Sequence, residues 1–272
     1  MHAHLNIAVR AARRAGDIIA RYSQRLDEVT VTAKRRNDFV TEVDRLAEES
    51  IKEVVRKAYP GHAFLAEESG AEGDAEIVWI IDPLDGTTNF IHGIPHYAVS
   101  IGVRHRGRLE HGVVYDPIRQ ELFTASRGAG AQLDGRRVRV GPRKSLAETV
   151  IGTGIPFRDM THVDAYFGML KQVTQKTAGI RRAGSAALDL AYVAAGRLDG
   201  FWEIGLKPWD MAAGALLVQE AGGVNGDLEG EPRFMGSGNI VSGNPRVFAA
   251  LVREIGPFLT PALRGAGGAA NG

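Results

Sequence analysis

The chain of 272 residues contains no cysteine. That absence excludes a disulfide framework, a thiolate zinc site and a cysteine nucleophile, and it accords with a reducing compartment. Net charge is nearly missing too. Thirty-three Lys and Arg stand against 32 Asp and Glu, leaving +1 with histidine neutral. A protein that coats nucleic acid needs a concentrated basic excess, and an acidic solvating tail needs the opposite, so neither class fits. Long hydrophobic runs are also lacking. Arg10, Arg13, Arg14 and Asp17 interrupt the first apolar stretch and leave no signal-peptide core. The longest stretch free of Asp, Glu, Lys and Arg runs from Gly86 to Val103 and carries Thr, Asn, His, Gly and Pro. It is too polar to span a bilayer. A composition of 44% hydrophobic and 24% charged residues is that of an ordinary folded protein. A cytoplasmic enzyme or binding protein is the expected class.

What is present divides into two styles. Leu5, Ala8, Ala12, Ala15, Ile19 and Tyr22 fall on one face of a helix over Leu5–Ser23, and a second helix over Thr41–Tyr59 stops at Pro60-Gly61. His62–Ala66, Ile77–Asp82, Tyr97–Val103, Leu109–Tyr115 and Glu121–Ala125 read as strands of a largely antiparallel meander, followed by an Asp134-Gly135 hairpin signal. Beyond a soft boundary near Gly141–Ser145, helices at Val163–Thr174, Ala186–Ala195, Met211–Ala221 and Pro245–Ile255 alternate with strands near Ile151, Gly200–Ile204 and Ile240–Ser242. Such alternation predicts a layered arrangement of helices and sheets.

The chemistry concentrates in acids. Ile77–Ile81 runs into Asp82-Pro-Leu-Asp85-Gly86-Thr87-Thr88, with two carboxylates three residues apart and a glycine before two hydroxyls. Hard divalent cations want such oxygen ligands, and backbone N–H groups after Gly86 offer a place for phosphate. The alternative is a pair of turn-forming aspartates. Glu67-Glu68 ends a short apolar strand. Asp44 follows Thr41 at capping-box spacing, so a helix cap explains it as well as a site does. Asp210 precedes small residues and reads as an N-cap, while Glu203 is an acid in an apolar strand without an evident partner.

Five strings, Asp38–Asp44, Glu67-Glu68-Ser69, Trp79–Phe90, Gly184-Ser185-Ala186-Ala187-Leu188 and Trp209–Gly214, together resemble the inositol monophosphatase family of Mg2+-dependent, lithium-sensitive phosphatases. The likeness is closest to the bacterial SuhB-type branch and runs from about Leu5 to Phe248; Ala66 stands where the family often has Gly. The resemblance implies an α+β fold, a layered αβαβα sandwich of two subdomains sharing one metal cleft. Residues 1–142 would carry most metal ligands, residues 143–264 the substrate contacts and one ligand, and 265–272 a disordered tail. It implies two or three Mg2+ ions: Glu67, Asp82 and the Leu84 carbonyl for the first, Asp82, Asp85 and Asp210 for the second, and Asp44 with Glu67 for a weaker third through water. Thr87 and Glu67 would position and deprotonate water, and Gly86 and Thr87 would bind phosphate. Asp85, Gly184, Ser185, Ala186, Glu203 and Asp210 would contact substrate. A phosphorylated polyol, inositol 1-phosphate above all, would be hydrolysed in a Li+-inhibited homodimer.

Other signals are weaker. No G-x-S-x-G, Walker A, G-x-G-x-x-G or H-E-x-x-H string occurs. His92 and His96 flank Gly93 and Pro95 and read as a loop rather than a metal pair. Lys34-Arg-Arg36 reads as a solvated loop that could steer phosphate, and the run Arg136, Arg137, Arg139, Arg143, Lys144 as a solvated edge strand. Two alternatives stay open. One is another family substrate: fructose 1,6-bisphosphate, histidinol phosphate or a 3′-phosphoadenosine nucleotide. The other is a non-catalytic role, because the SuhB-type branch is associated with transcription antitermination through RNA polymerase and Nus factors. Strong independent nucleic-acid binding is not expected of so neutral a chain.

Overall fold

Apolar residues at helical spacing decide the first element. Leu5, Ala8, Ala12, Ala15 and Ile19 are all buried along α1 (Ala3–Tyr22) in the computed structural model, which describes residues 2–35, 38–157 and 159–264. The expectation for the 265–272 tail lies outside what is described, as does Arg36; Lys34 and Arg35, expected in a loop, instead end a strand. A short hairpin, β1 (Val31–Arg35) with β2 (Asp38–Thr41), leads into α2 (Glu42–Ala58). There Thr41 accepts the N–H of Val43 and Asp44, and the Thr41 N–H donates to Asp44 at 2.8 Å, closing the expected capping box.

The larger sheet has eight strands. In space they run β10 (Arg136–Arg137), β9 (Gly130–Leu133), β8 (Glu121–Ser126), β7 (Arg108–Asp116), β6 (Ala98–His105), β5 (Ile77–Asp85), β3 (Ala63–Ala66) and β4 (Gly70–Glu72). Every neighbour is antiparallel except β3 and β5, which are parallel. The meander is broken there because β4 carries the chain back before β5 begins on the other side of β3. Asp134 and Gly135 both take positive φ, 49° and 77°, so the Asp-Gly signal produces its tight turn between β9 and β10. The smaller sheet runs β12 (Gly179–Arg181), β11 (Val150–Thr153), β13 (Gly200–Glu203), β15 (Ile240–Gly243) and β14 (Val224–Gly226).

Helices complete five layers. Helices α1 and α2 cover one face of the large sheet, and α5 (Ala186–Ala194) and α6 (Pro208–Glu220) fill the space between the two sheets. The outer face of the small sheet is closed by α4 (Val163–Thr174) and α8 (Pro245–Ile255). Short α3 (Thr87–Ile91) and α7 (Phe234–Ser237) lie in connections. The layered αβαβα order expected from the sequence is therefore present.

One packing detail sets up the site. A Cβ on Gly102 of β6 would lie 2.9 Å from the Ala212 Cβ, and one on Gly112 of β7 would lie 2.8 Å from the Ala213 carbonyl oxygen. Glycine facing alanine lets α6 press its first turns directly onto the sheet.

Candidate active site

The site begins with an irregularity in β5. Asp82 pairs with Ser100 of β6, and the next pair is Asp85 with Ala98. Two residues, Pro83 and Leu84, thus oppose the single Val99, which is a β-bulge. Proline has no N–H to give the ladder and is confined to such places within sheets. Side chains alternate along a strand, so residues three apart would project to opposite faces. The extra residue restores the phase, and Asp82 and Asp85 turn to the same side. That side faces α6, whose Trp209 carbonyl accepts the Ser100 hydroxyl at 3.1 Å. The Leu84 N–H donates to Asp82 Oδ1 at 3.0 Å and closes the local turn.

Gly86 follows with φ +100° and serves as the N-cap of α3. A side chain there would be strained by that angle and would meet the His96 carbonyl oxygen at 3.0 Å. On α6 the sequence reading needs correction. Asp210 is not the N-cap; Lys207 holds that position, Pro208 comes first in the helix, and Asp210 accepts the Lys207 N–H at 2.7 Å. Held in this way, Asp82, Asp85 and Asp210 each bring a carboxylate oxygen within 4.8 Å of the others.

These acids open into a cleft of about 170 Å³, which Glu67, Leu84, Gly86, Thr87, Gly184, Ser185, Ala186 and Glu203 also line. Glu67 comes from the β3–β4 turn. Glu203 ends β13 and lies over Gly154, where any Cβ would overlap its carboxylate. The Gly184 loop is stapled to α3 by Asn89, whose amide donates to the His96 and Ala183 carbonyls at 2.8 and 2.9 Å. Ser185 caps α5, and its hydroxyl donates to Asp85 Oδ2 at 2.6 Å beside the Ala187 N–H at 2.7 Å. The Ser185 side chain is therefore engaged with protein.

Asp44 stands apart. It is fully buried, does not line the cleft, and has both oxygens engaged. Oδ2 accepts the Thr41 N–H and hydroxyl, and Oδ1 lies 3.0 Å from the Thr87 hydroxyl. That hydroxyl is also 3.0 Å from the Leu84 carbonyl oxygen, so its single proton serves one acceptor at a time. The capping role open for Asp44 in the sequence is present, and the same carboxylate also meets Thr87, which lines the cleft.

Electrostatics separate these acids from ordinary turn residues. Burial holds the Asp82 carboxyl well above its usual range, and the charges of Glu67, Asp85 and Asp210 push it further. Asp44 is raised by burial, against the bonds from Thr41 and Thr87. The sequence reading missed Asp189 and Arg182, which line the same cleft. Asp189 is raised well above its range by burial and then by Glu203 and Asp85. A single acid inside the apolar run Ala186–Ala194 was the available signal for it. Oxygen-only donors, mutually close and mutually repelling, form the set a hard divalent cation fits.

This layered fold, with an acidic cluster able to hold a metal ion, is that of a phosphatase class. The chain belongs to the inositol monophosphatase family, whose model matches residues 1–256. It is 58% identical to the Nus factor SuhB of Pseudomonas aeruginosa, across 97% of this chain and all of that protein. Among solved structures, the extragenic suppressor protein suhB of Bartonella henselae is 45% identical with a TM-score of 0.91, covering 97% of this chain and 100% of that one. The inositol monophosphatase of Anabaena is 37% identical with a TM-score of 0.82, covering 93% and 95%.

Proposed function

We propose that the protein hydrolyses phosphate monoesters with Mg2+, inositol 1-phosphate first among them, by direct attack of water. The observation that carries this reading is the convergence of Asp82, Asp85 and Asp210 within 4.8 Å beside the Gly86 turn. Glu67, Asp82, the Leu84 carbonyl, Asp85 and Asp210 would hold the Mg2+ ions, which when bound supply positive charge against phosphate oxygens and lower the pKa of water. The N–H groups of Gly86 and Thr87 donate to the phosphate. Glu67 accepts a proton from the attacking water, and the Thr87 hydroxyl, aligned by Asp44, orients that water. Asp85, the Ala186 N–H and Glu203 receive the hydroxyls of the alcohol, with Gly184 and Ser185 shaping the loop around them. Within this reading residues 1–142 supply most metal ligands and 143–264 the substrate contacts and Asp210, in a cytoplasmic homodimer inhibited by Li+.

Phosphate release from inositol 1-phosphate, fructose 1,6-bisphosphate, histidinol phosphate and a 3′-phosphoadenosine nucleotide tests the proposal, with Mg2+ and with or without millimolar Li+. Preference for another member of the panel overturns the substrate. Trapping of a phosphorylated protein during turnover overturns direct attack by water.

A second reading rests on the relative named a Nus factor at 58% identity. In it the protein also joins a transcription complex through protein contacts, which its charge of +1 permits without direct RNA coating. Co-purification with RNA polymerase that survives Asp85→Asn supports this role, and no association with either form removes it. Among the described residues no helix is long and apolar enough to cross a membrane.

A further inference from the structure

Glu48 is a buried carboxylate outside the cleft, with 3% of its surface exposed. It lies on α2 one turn beyond Asp44, and both of its oxygens are used. Oε2 accepts the Glu68 N–H at 2.9 Å, and Oε1 accepts the Ser69 N–H at 3.1 Å. These amides follow Glu67 directly in the β3–β4 turn. One turn further along the helix, Lys52 donates to the Ser69 hydroxyl at 3.0 Å and pairs with Glu72 at 2.6 Å. The Glu67 N–H is itself held by the Ile81 carbonyl at 3.1 Å, next to Asp82.

One face of α2 thus grips two parts of the cleft, Thr87 through Asp44 and the Glu67 turn through Glu48. Neither packing nor helix capping accounts for a charge here. Glu48 is in the seventh position of α2, past the N–H groups a cap would serve. An ion is taken out of water at a cost unless hydrogen bonds answer it, and bonds from N–H to a carboxylate are the strong kind. Glutamine in its place would offer one acceptor oxygen and turn an NH2 toward the second amide.

We propose that Glu48 is a positioning residue that fixes the Glu67 turn and thereby sets the affinity of the cleft for its cation. The inference rests on Glu67 and the aspartates being metal ligands. Groups that orient metal ligands typically change affinity by about ten- to a hundredfold when removed. The test is calorimetric titration of the full chain with Mn2+ alone, in wild type, Glu48→Gln and Glu48→Ala, each with its Tm in EDTA. The expected result is a Mn2+ Kd raised by roughly ten- to a hundredfold in both variants, with the Mg2+ activation constant for phosphate release rising alongside. A purely structural role would lower the Tm and leave the Kd of the folded protein unchanged, and that result overturns the proposal. No Mn2+ binding by wild type overturns the reading of the site itself. A second measurement needs no variant. Mg2+ should slow hydrogen exchange at the Glu68 and Ser69 amides by on the order of tenfold, because coupling between sites is reciprocal. Unchanged exchange in a protein that binds Mg2+ also overturns the positioning role.

Discussion

Replacing Asp82 by Asn separates a metal ligand from a turn former. The change is nearly isosteric, and the Asn carbonyl oxygen can still accept the Leu84 N–H that Asp82 Oδ1 accepts at 3.0 Å. The turn should survive. What goes is one negative charge from a group whose oxygens lie within 4.8 Å of one another. At that separation and an effective dielectric of about 20, each pair of unit charges repels by about 3 kcal/mol. Burial and its neighbours' charges already raise the Asp82 carboxyl, which offsets part of this repulsion, so the gain from Asn is smaller, about 2 kcal/mol or roughly 5 °C in Tm for a chain of this size. Mg2+ has the opposite effect. At a hundred times its Kd it stabilises wild type by about 2.7 kcal/mol, or roughly 5–10 °C. Thermal unfolding in EDTA and in Mg2+ should therefore give crossed orders, the variant higher in EDTA and wild type higher in Mg2+. An unchanged Mg2+ shift in Asp82→Asn refutes the ligand assignment. A lower Tm in EDTA refutes the claim of crowded charge.

Three further outcomes follow from other parts of the structure. Thr87→Val removes the donor facing buried Asp44 Oδ1; it should cost about 1–3 kcal/mol of stability and lower phosphate release by on the order of a hundredfold, whereas Thr87→Ser should keep most of both. His111 is pushed down to about 4 by burial and by the nearby charges of His2 and His4, the His2 ring lying 5.1 Å from its own. A lowered folded pKa means the unfolded chain binds the proton first, so stability is complete above about 6.5 and falls by about 3 kcal/mol as pH drops toward 4. His111→Gln should flatten the Tm profile over that window, and an unchanged slope would assign the loss to other groups. Gly112→Val should lower the Tm by an amount corresponding to roughly 1–3 kcal/mol, since its Cβ would sit 2.8 Å from the Ala213 carbonyl oxygen on backbone that cannot rotate aside. The same variant should lose Mg2+ affinity because α6 carries Asp210, and calorimetry reads that directly.

Much of this was legible in the sequence because the signals were local. The spacing of Leu5, Ala8, Ala12, Ala15 and Ile19 buries one face of α1, and Thr41 with Asp44 closes a capping box at three-residue distance. Val163–Thr174 and Pro245–Ile255 are helices over the bounds their periodicity predicts. The elements that escaped are short ones stabilised by partners far along the chain. Strand β12 is three residues held by β11, and β4 is three residues held by β3. No three-residue window carries a periodicity. Asp189 escaped because its neighbours Glu203 and Asp85 come from other elements, and Glu48 because the amides it holds are 20 and 21 residues away. Such groups read as ordinary helix residues until the turn they hold is placed against them.

The pair Asp82 and Asp85 shows how a motif can be recognised while its geometry stays hidden. A regular strand would send them to opposite sheet faces, one toward α2 and one toward α6, and no single cation could touch both. A five-residue α-helix turn in their place would bring them together but would break the ladder that buries Ile77–Ile81. The bulge satisfies both demands, since the ladder with β6 resumes at Asp85 and Ala98 after the added residue. Pro83 was the visible sign of it, and as a turn residue alone Pro83 did not say that the strand continues. Deleting Pro83 removes the bulge yet leaves Asp82 and Asp85 two residues apart on a regular strand, so both should still turn toward Asp210. Retained Mn2+ binding in a variant that keeps its near-ultraviolet circular dichroism is the expected outcome. Loss of binding in that folded variant would mean that the site needs the bulge itself and not only a shared face for the two aspartates.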